Sequence, residues 1–196
     1  KLNLKDNEQI TALIEWLRDW GCRQFKKDNT FTPNEGNESI FEWQEKYEQR
    51  IPNFEVNLLD FDLNRNKELI IDIFNDLSER KASTRNNGAN VRIGPVGTAK
   101  TLFALRPILF APWDTYIYSS NKYKLKGDGP SYYTYLSEVK KEMIEIKNLF
   151  ESTKRECDNL FEYLKRPHKS YPKLIDEYNW ITITKGCILS DIIECL

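Results

Sequence analysis

Asp114 is the only acidic residue between residues 81 and 126, a segment that also contains eight lysines and arginines. It directly follows Pro112 and Trp113. A carboxylate held beside an aromatic wall can stabilise an oxocarbenium-like sugar cation and orient a water molecule. Aspartate is also a favoured helix N-cap, and residues 115–120 could form the helix that it caps. The two roles are compatible, so Asp114 is the candidate catalytic residue and a candidate cap.

A glycine-containing turn precedes Asp114 by about 20 residues. Gly94 and Gly97 are predicted to bracket this turn, and Thr98 is predicted to open the next helix. Glycines ahead of a helix leave backbone N–H groups exposed, and the partial positive charge of the helix end adds to them. This arrangement suits a phosphate, and Arg92 and Lys100 flank it. Such a turn also joins helices without any ligand, and that alternative stays open.

Lysines alternate with other residues in a second loop, at positions 122, 124 and 126. Alternate lysines on an extended segment can follow a phosphate backbone. They can equally serve as a solubilising loop. Both interpretations fit the sequence.

The order of these motifs resembles the helix-hairpin-helix DNA glycosylases. Their signature is Gly-Val/Ile-Gly-x-x-Thr-Ala followed, about 20 residues on, by Asp-Thr/Gly-x-Val/Ile. Here residues 93–99 read IGPVGTA and residues 114–117 read DTYI, so the resemblance spans about 30 residues, 91–120. Thr98 directly follows Gly97, so the alignment needs a small gap. The resemblance implies that Asp114 matches the catalytic aspartate and that the backbone of residues 94–98 grips phosphate.

The departures from the family pattern narrow the implied activity. Members that also cut the strand carry a lysine just before Thr-Ala, where this chain has Gly97. The four-cysteine iron–sulfur loop of some relatives is also missing, and we expect no cofactor. The resemblance therefore implies a monofunctional hydrolase that removes a damaged or modified base from double-stranded DNA and has no lyase activity.

Base excision requires that the target nucleotide leave the stack and enter a pocket. Four aromatic residues are predicted to line it, although aromatic residues at helical spacing usually belong to the core. They are Trp113, Tyr116, Tyr118 and Trp43. The predicted DNA contacts are Arg92, Gly94, Val96, Gly97, Thr98, Lys100, Lys122, Lys124 and Lys126.

Apolar residues recur at helical spacing through most of the chain. The pattern predicts helices over residues 7–27, from Ser39 to about residue 51, from about Arg65, from Thr98 to about Leu109, and from Pro172. A longer helix is predicted within 136–164, with a break near residues 151–153, and an apolar helix is predicted to end at Leu196. Residues 81–98 are predicted to be loop and turn. We predict an all-α fold with a helix-hairpin-helix-like element.

The charge distribution separates three parts of the chain. The 196 residues carry a net charge of −1, but residues 1–80 hold 11 basic and 17 acidic side chains. The excess of basic residues lies in residues 81–126, the segment that contains Asp114. We predict one domain over residues 1–196, with an acidic part at 1–80, a basic site segment at 81–127 and a helical part at 128–196. A locally basic surface is typical of proteins that bind polyanions, although it can also be a solvated face.

The composition also limits which other classes of protein the chain can belong to. The four cysteines are widely spaced and there is one histidine, so a structural zinc site is not predicted. No segment approaches the roughly 20 apolar residues that cross a bilayer. We expect a cytoplasmic or nucleoid-associated monomer without membrane contact. Two alternatives to the glycosylase stay open, a non-catalytic DNA-binding module of the same fold and a helical protein-interaction domain.

Overall fold

Helices dominate the structure. The computed structural model describes residues 2–25, 35–153, 157 and 159–187. Its composition of 57% helix and 4% strand confirms the predicted all-α class. The described part of the chain contains eight α-helices, one short π-helical segment and one two-stranded antiparallel sheet. In chain order these are α1 (Asn7–Asp19), α2 (Glu35–Tyr47), α3 (Lys67–Glu79), β1 (Lys81–Thr84), β2 (Asn90–Arg92), α4 (Gly94–Leu105), α5 (Thr115–Ser119), α6 (Gly129–Ser152), α7 (Leu160–Tyr163), α8 (Tyr171–Asn179) and the π-helical segment (Trp180–Thr184).

The first two helices begin and end differently from the predictions. Asp6 caps α1 by accepting hydrogen bonds from the backbone N–H groups of Glu8 and Gln9. The helix then ends at Asp19, not near residue 27, because Gly21 adopts a φ of +88°. A left-handed glycine just beyond the last turn is a common helix stop. Helix α2 begins at Glu35, four residues before the predicted cap at position 39.

A β-hairpin stands between α3 and α4, where loop and turn were predicted. Strands β1 and β2 pair antiparallel, and α4 begins at Gly94, so the predicted start at Thr98 is wrong. Gly94 has a φ of +70°, a conformation that glycine adopts freely. Pro95 follows it in the first turn, which favours a helix start at that point. Gly97 therefore lies inside α4, not in a turn ahead of it.

Helix α6 is the longest helix of the described structure. Asp128 caps its start by accepting from the Ser131 N–H at 2.9 Å. The helix ends at Ser152, within the predicted break. After α8 the chain forms the π-helical segment. The apolar helix predicted to end at Leu196 extends past residue 187, the last residue that the structure describes. Residues 188–196 lie outside the described residues.

An aromatic cluster at the centre of the core joins α3, α6 and the segment before α5. Trp113 packs edge-on against Phe74 and Tyr132, with ring centroids 5.6 Å and 5.0 Å away. Phe74 stacks on Tyr132 at 4.5 Å, and Tyr135 lies 5.2 Å from Trp113. All four side chains are buried. This cluster fixes the stretch of chain that carries Asp114.

Candidate active site

Hydrogen bonds from three side chains anchor the extended segment before α5. The hydroxyl groups of Tyr132 and Tyr135 donate to the carbonyl oxygens of Ala111 and Pro112, each at 3.0 Å. The indole N–H of Trp113 donates to the carbonyl of Pro95 at 3.1 Å, in the first turn of α4. Buried polar groups that find partners in this way hold the backbone in one position. Asp114 therefore projects from a rigid support.

Both carboxylate oxygens of Asp114 accept hydrogen bonds within the protein. Oδ1 accepts from the Ile117 N–H at 2.8 Å, which makes Asp114 the N-cap of α5. Oδ2 accepts from the Thr184 hydroxyl at 2.9 Å, in the π-helical segment 70 residues away. Each oxygen keeps a second lone pair for another donor. The predicted capping role is thus present, and it leaves acceptor capacity.

Asp114 lines a cavity of about 570 Å³. Four parts of the chain form its walls: the end of α1 with the residues after it, α4, the segment at the start of α5, and α8 with the π-helical segment. The volume is in the range of pockets that bind small molecules. The lining residues are Trp20, Gly21, Arg23, Gln24, Val96, Lys100, Trp113, Asp114, Thr115, Tyr116, Lys173, Asp176, Glu177, Trp180 and Thr184.

Lys100 is a buried cation of this cavity. Its ammonium donates to the carbonyl of Trp20 at 2.6 Å and lies 4.5 Å from the centroid of the Trp20 ring. A cation here stabilises the C-terminal end of α1, where the helix carries partial negative charge. Burial lowers the pKa of Lys100, against the attraction of Cys22, Asp176 and Asp114. Lys100 thus adds positive charge to the cavity while its ammonium is held by the backbone.

Helix α8 contributes a second carboxylate and a second ammonium. Asp176 is 7% exposed and pairs with Lys173 at 2.6 Å. The Lys173 ammonium also lies 4.7 Å from the centroid of the Trp20 ring. Burial raises the pKa of Asp176, in opposition to Lys173 and Lys100. Glu177 of the same helix also lines the cavity, whose wall therefore holds three carboxylates, two ammonium groups and the Arg23 guanidinium among tryptophan side chains.

Five of the predicted site residues line the cavity, and they do so in different ways. Asp114 and Val96 belong to its wall, and Tyr116 is 69% exposed at its edge. Trp113 contributes from the core cluster, with its indole nitrogen already bonded to Pro95. Lys100 lines the cavity but does not stand on an exposed DNA-facing surface.

Other predicted residues are absent from the cavity wall. Trp43 is a core residue on α2, fully buried, and its indole N–H donates to the carbonyl of Ile73 at 3.0 Å. Tyr118 packs against Trp113 at 5.0 Å. Thr98 is fully buried within α4, which removes its side chain from any surface contact. Gly97 is buried in the same helix, and a Cβ there would lie 2.5 Å from Gln24 Nε2 and 3.0 Å from the Ile93 side chain.

Acidic residues from other parts of the chain form ion pairs with three of the eight basic side chains of residues 81–126. Arg92 pairs with Glu79, and Lys81 pairs with Glu35 at 2.8 Å. Lys122 pairs with Glu142 at 2.9 Å and donates to the Asn179 side chain at 2.9 Å. Lys124 and Lys126 are exposed and make no ion pair among the described residues. The locally basic segment predicted from the sequence therefore contains both ion-paired and exposed unpaired cations among the described residues.

Sequence reasoning missed the half of the cavity that comes from the C-terminal region. Lys173, Asp176, Trp180 and Thr184 lie about 60–70 residues after Asp114 and carry no motif. The burial of the Asp176 carboxylate would have indicated a site residue, but the sequence does not show which face of α8 is packed against the core. Their approach to Asp114 depends on tertiary contacts between α5 and the π-helical segment.

The described residues contain no cluster of three or more side chains suited to a metal ion. Within the same residues, no helix has the length and apolar character needed to cross a membrane. Comparison of the chain with protein-family models, with curated proteins and with solved structures finds no match.

Proposed function

We propose that this protein is a monofunctional DNA glycosylase, which hydrolyses the N-glycosidic bond of a damaged or modified base flipped out of duplex DNA. The observation that carries the proposal is the position of the Asp114 carboxylate, rigidly supported in the wall of a cavity lined by Trp20, Trp113 and Trp180. Aromatic walls hold an extruded base by stacking, and base flipping is the entry route for such enzymes.

Asp114 acts on the sugar as the base leaves. Its negative charge stabilises the positive charge that develops at C1′, an effect that is strong where water is excluded. The free lone pairs of its oxygens accept a hydrogen bond from the water that attacks C1′. The Thr184 hydroxyl holds Oδ2 at 2.9 Å and thereby fixes the carboxylate plane during this step.

Hydrolysis without strand cleavage agrees with the engagement of Lys100. Schiff-base formation needs an unencumbered amine that can reach the sugar carbon. The Lys100 ammonium instead donates to the Trp20 carbonyl at 2.6 Å. Water is therefore the proposed nucleophile. Lys124 and Lys126, together with the first turn of α4 at Gly94, are the proposed contacts with the DNA backbone.

One observation favours a second candidate, a non-catalytic DNA-binding module. Both oxygens of Asp114 already accept hydrogen bonds from the protein, which is sufficient for a purely structural cap. In this version the protein binds duplex DNA in a salt-dependent manner and releases no base.

A pair of matched variants separates the two candidates. Duplexes that each contain one modified base are incubated with the protein and then treated with alkali, which cleaves at abasic sites. Asp114→Asn keeps a good N-cap residue but removes the charge. Asp128→Asn is the control, since Asp128 is also an N-cap aspartate but does not line the cavity.

The proposal expects abasic sites with the wild-type protein and with Asp128→Asn, and a loss of at least about 100-fold with Asp114→Asn. Equal activity of Asp114→Asn and the wild type would remove Asp114 from the mechanism. Duplex binding without abasic product from any base would establish the non-catalytic module instead.

A further inference from the structure

The ion pair between Lys173 and Asp176 is unusual for its position. Both side chains line the cavity, and the Lys173 Nζ to Asp176 Oδ2 distance is 2.6 Å. Asp176 is 7% exposed although the cavity lies next to it. A second carboxylate, on Glu177, lies 3.9 Å from the same ammonium. Lys173 is therefore held by acids on its own helix while it borders the proposed base site.

Stability alone is a weak explanation for this arrangement. Removing the Asp176 carboxylate from water is unfavourable, and 21% of the Lys173 side chain stays accessible, which weakens the compensating attraction. The end of α1 does not need Lys173, because Lys100 already donates to the Trp20 carbonyl. The ammonium of Lys173 has three N–H donors, of which Asp176 uses one. Donor capacity therefore remains for a group in the cavity.

Base excision creates a need for such a donor. When the glycosidic bond breaks, its electron pair moves to the base nitrogen, and a neutral base leaves as an anion unless it gains a proton. Asp114 acts on the sugar and cannot supply this proton, because an ionised carboxylate only accepts hydrogen bonds. Arg23, Lys100 and Lys173 are the cationic donors of the cavity wall, and an arginine keeps its proton. Lys100 is 7% exposed with its ammonium on the Trp20 carbonyl, whereas 21% of the Lys173 side chain is accessible.

We propose that Lys173 donates a proton to the departing base and that Asp176 is the positioning residue that holds the Lys173 ammonium at the cavity wall. This assignment rests on the proposed glycosylase function. It adds a general acid on α8 to the carboxylate that caps the start of α5, so that one group acts on the base and the other on the sugar.

The proposed step is balanced in atoms and charge. The C1′–N bond breaks, the electron pair goes to the base, and Lys173 gives the base a proton and becomes a neutral amine. Water adds to C1′ and passes a proton to Asp114. Asp114 releases that proton to solvent, and Lys173 regains one from solvent. The products are an abasic site and a neutral free base.

Bases that differ in leaving-group quality test the assignment. Two pairs of duplex substrates are used, one with uracil or 5-fluorouracil and one with hypoxanthine or the cationic 7-methylguanine. The second member of each pair leaves more easily and needs less assistance from an acid. Single-turnover rates are measured for the wild type, Lys173→Met, Asp176→Asn and Asp114→Asn. Lys147→Met, which changes an exposed lysine on α6, is the matched control.

The expected pattern is selective. Lys173→Met slows excision of the poorer leaving group by about 100-fold or more and that of the better one by about threefold or less, since general acids typically contribute 10²–10⁴-fold. Asp176→Asn shows the same selectivity with a smaller loss. Asp114→Asn slows both members of a pair equally, and Lys147→Met slows neither.

Failure of the proton-donor assignment is distinguishable from failure of the glycosylase proposal. Equal loss on both members of a pair in Lys173→Met, with an active wild type, overturns the proton-donor assignment and leaves the glycosylase intact. A wild type that excises only the better leaving group of each pair likewise overturns the assignment. Absence of excision by the wild type from all four duplexes overturns the assignment and counts against the glycosylase itself.

Discussion

Asp114 has two hydrogen-bond partners, and they allow its structural contribution to be estimated apart from its chemistry. In Asp114→Ala the Ile117 N–H loses its cap, which costs about 1 kcal/mol. The Thr184 hydroxyl loses an acceptor, and a half-buried bond of this kind contributes about 1 kcal/mol. We expect Asp114→Ala to lower the free energy of unfolding by about 2 kcal/mol.

Asp114→Asn has a different expected effect on stability. The asparagine oxygen still accepts from the Ile117 N–H, and its amide group can donate to the Thr184 hydroxyl. We therefore expect a loss below about 0.5 kcal/mol, since asparagine is as good an N-cap as aspartate. Stability should be almost unchanged in this variant while excision is lost.

Urea unfolding followed by tryptophan fluorescence measures both values, because Trp113 lies in the buried core cluster. Thr184→Val completes a double-mutant cycle with Asp114→Ala, with an expected coupling of about 1 kcal/mol. Equal losses in Asp114→Asn and Asp114→Ala would refute the reasoning. A coupling near zero would show that the Thr184 bond does not stabilise the π-helical segment.

Three other variants test the packing and electrostatics around the site. Gly129→Ala places a Cβ 2.7 Å from the Ile71 carbonyl oxygen, which forces α3 and α6 apart. The free energy of unfolding, measured in urea, should fall by about 2 kcal/mol. A loss below about 0.5 kcal/mol would contradict this close contact. Trp43→Phe removes the indole N–H that donates to the Ile73 carbonyl and leaves unfilled volume in the core. It should destabilise the protein by about 2 kcal/mol, while the excision rate per folded molecule stays unchanged. A selective loss of excision would instead support a place for Trp43 in the base pocket. Burial raises the pKa of Asp176 above its ordinary value of 3.8, against Lys173 and Lys100 and together with Asp114. Between the pKa of Asp176 in the unfolded chain and its higher pKa in the folded protein, the folded protein therefore holds more protons, and the contribution of Asp176 to stability falls as pH rises through that window. Asp176→Asn should flatten this part of the stability–pH curve. An unchanged slope would be inconsistent with the burial of the charge.

Much of the local structure could be predicted from the sequence because its causes are local. The amphipathic spacing of apolar residues predicts α1, α3 and α6, and Asp114 was identified as a cap from its own position. Helix boundaries were predicted less well. The stop at Gly21 and the start at Gly94 both depend on a left-handed glycine, and the sequence allows but does not require that conformation.

The features of the candidate site likewise fall into those with local causes and those that depend on tertiary contacts. The sequence by itself determined Asp114, its cap geometry and the aromatic residue before it, since these depend on neighbours within a few positions. Only the tertiary structure decided which acids neutralise the basic segment, as with Glu79 on Arg92 and Glu142 on Lys122. It also decided that α8 brings Lys173 and Asp176 to the cavity of Asp114. The physical reason is that hydrogen bonds of caps and turns act over three or four residues of chain, whereas charge pairing and cavity walls depend on which surfaces the hydrophobic core brings together.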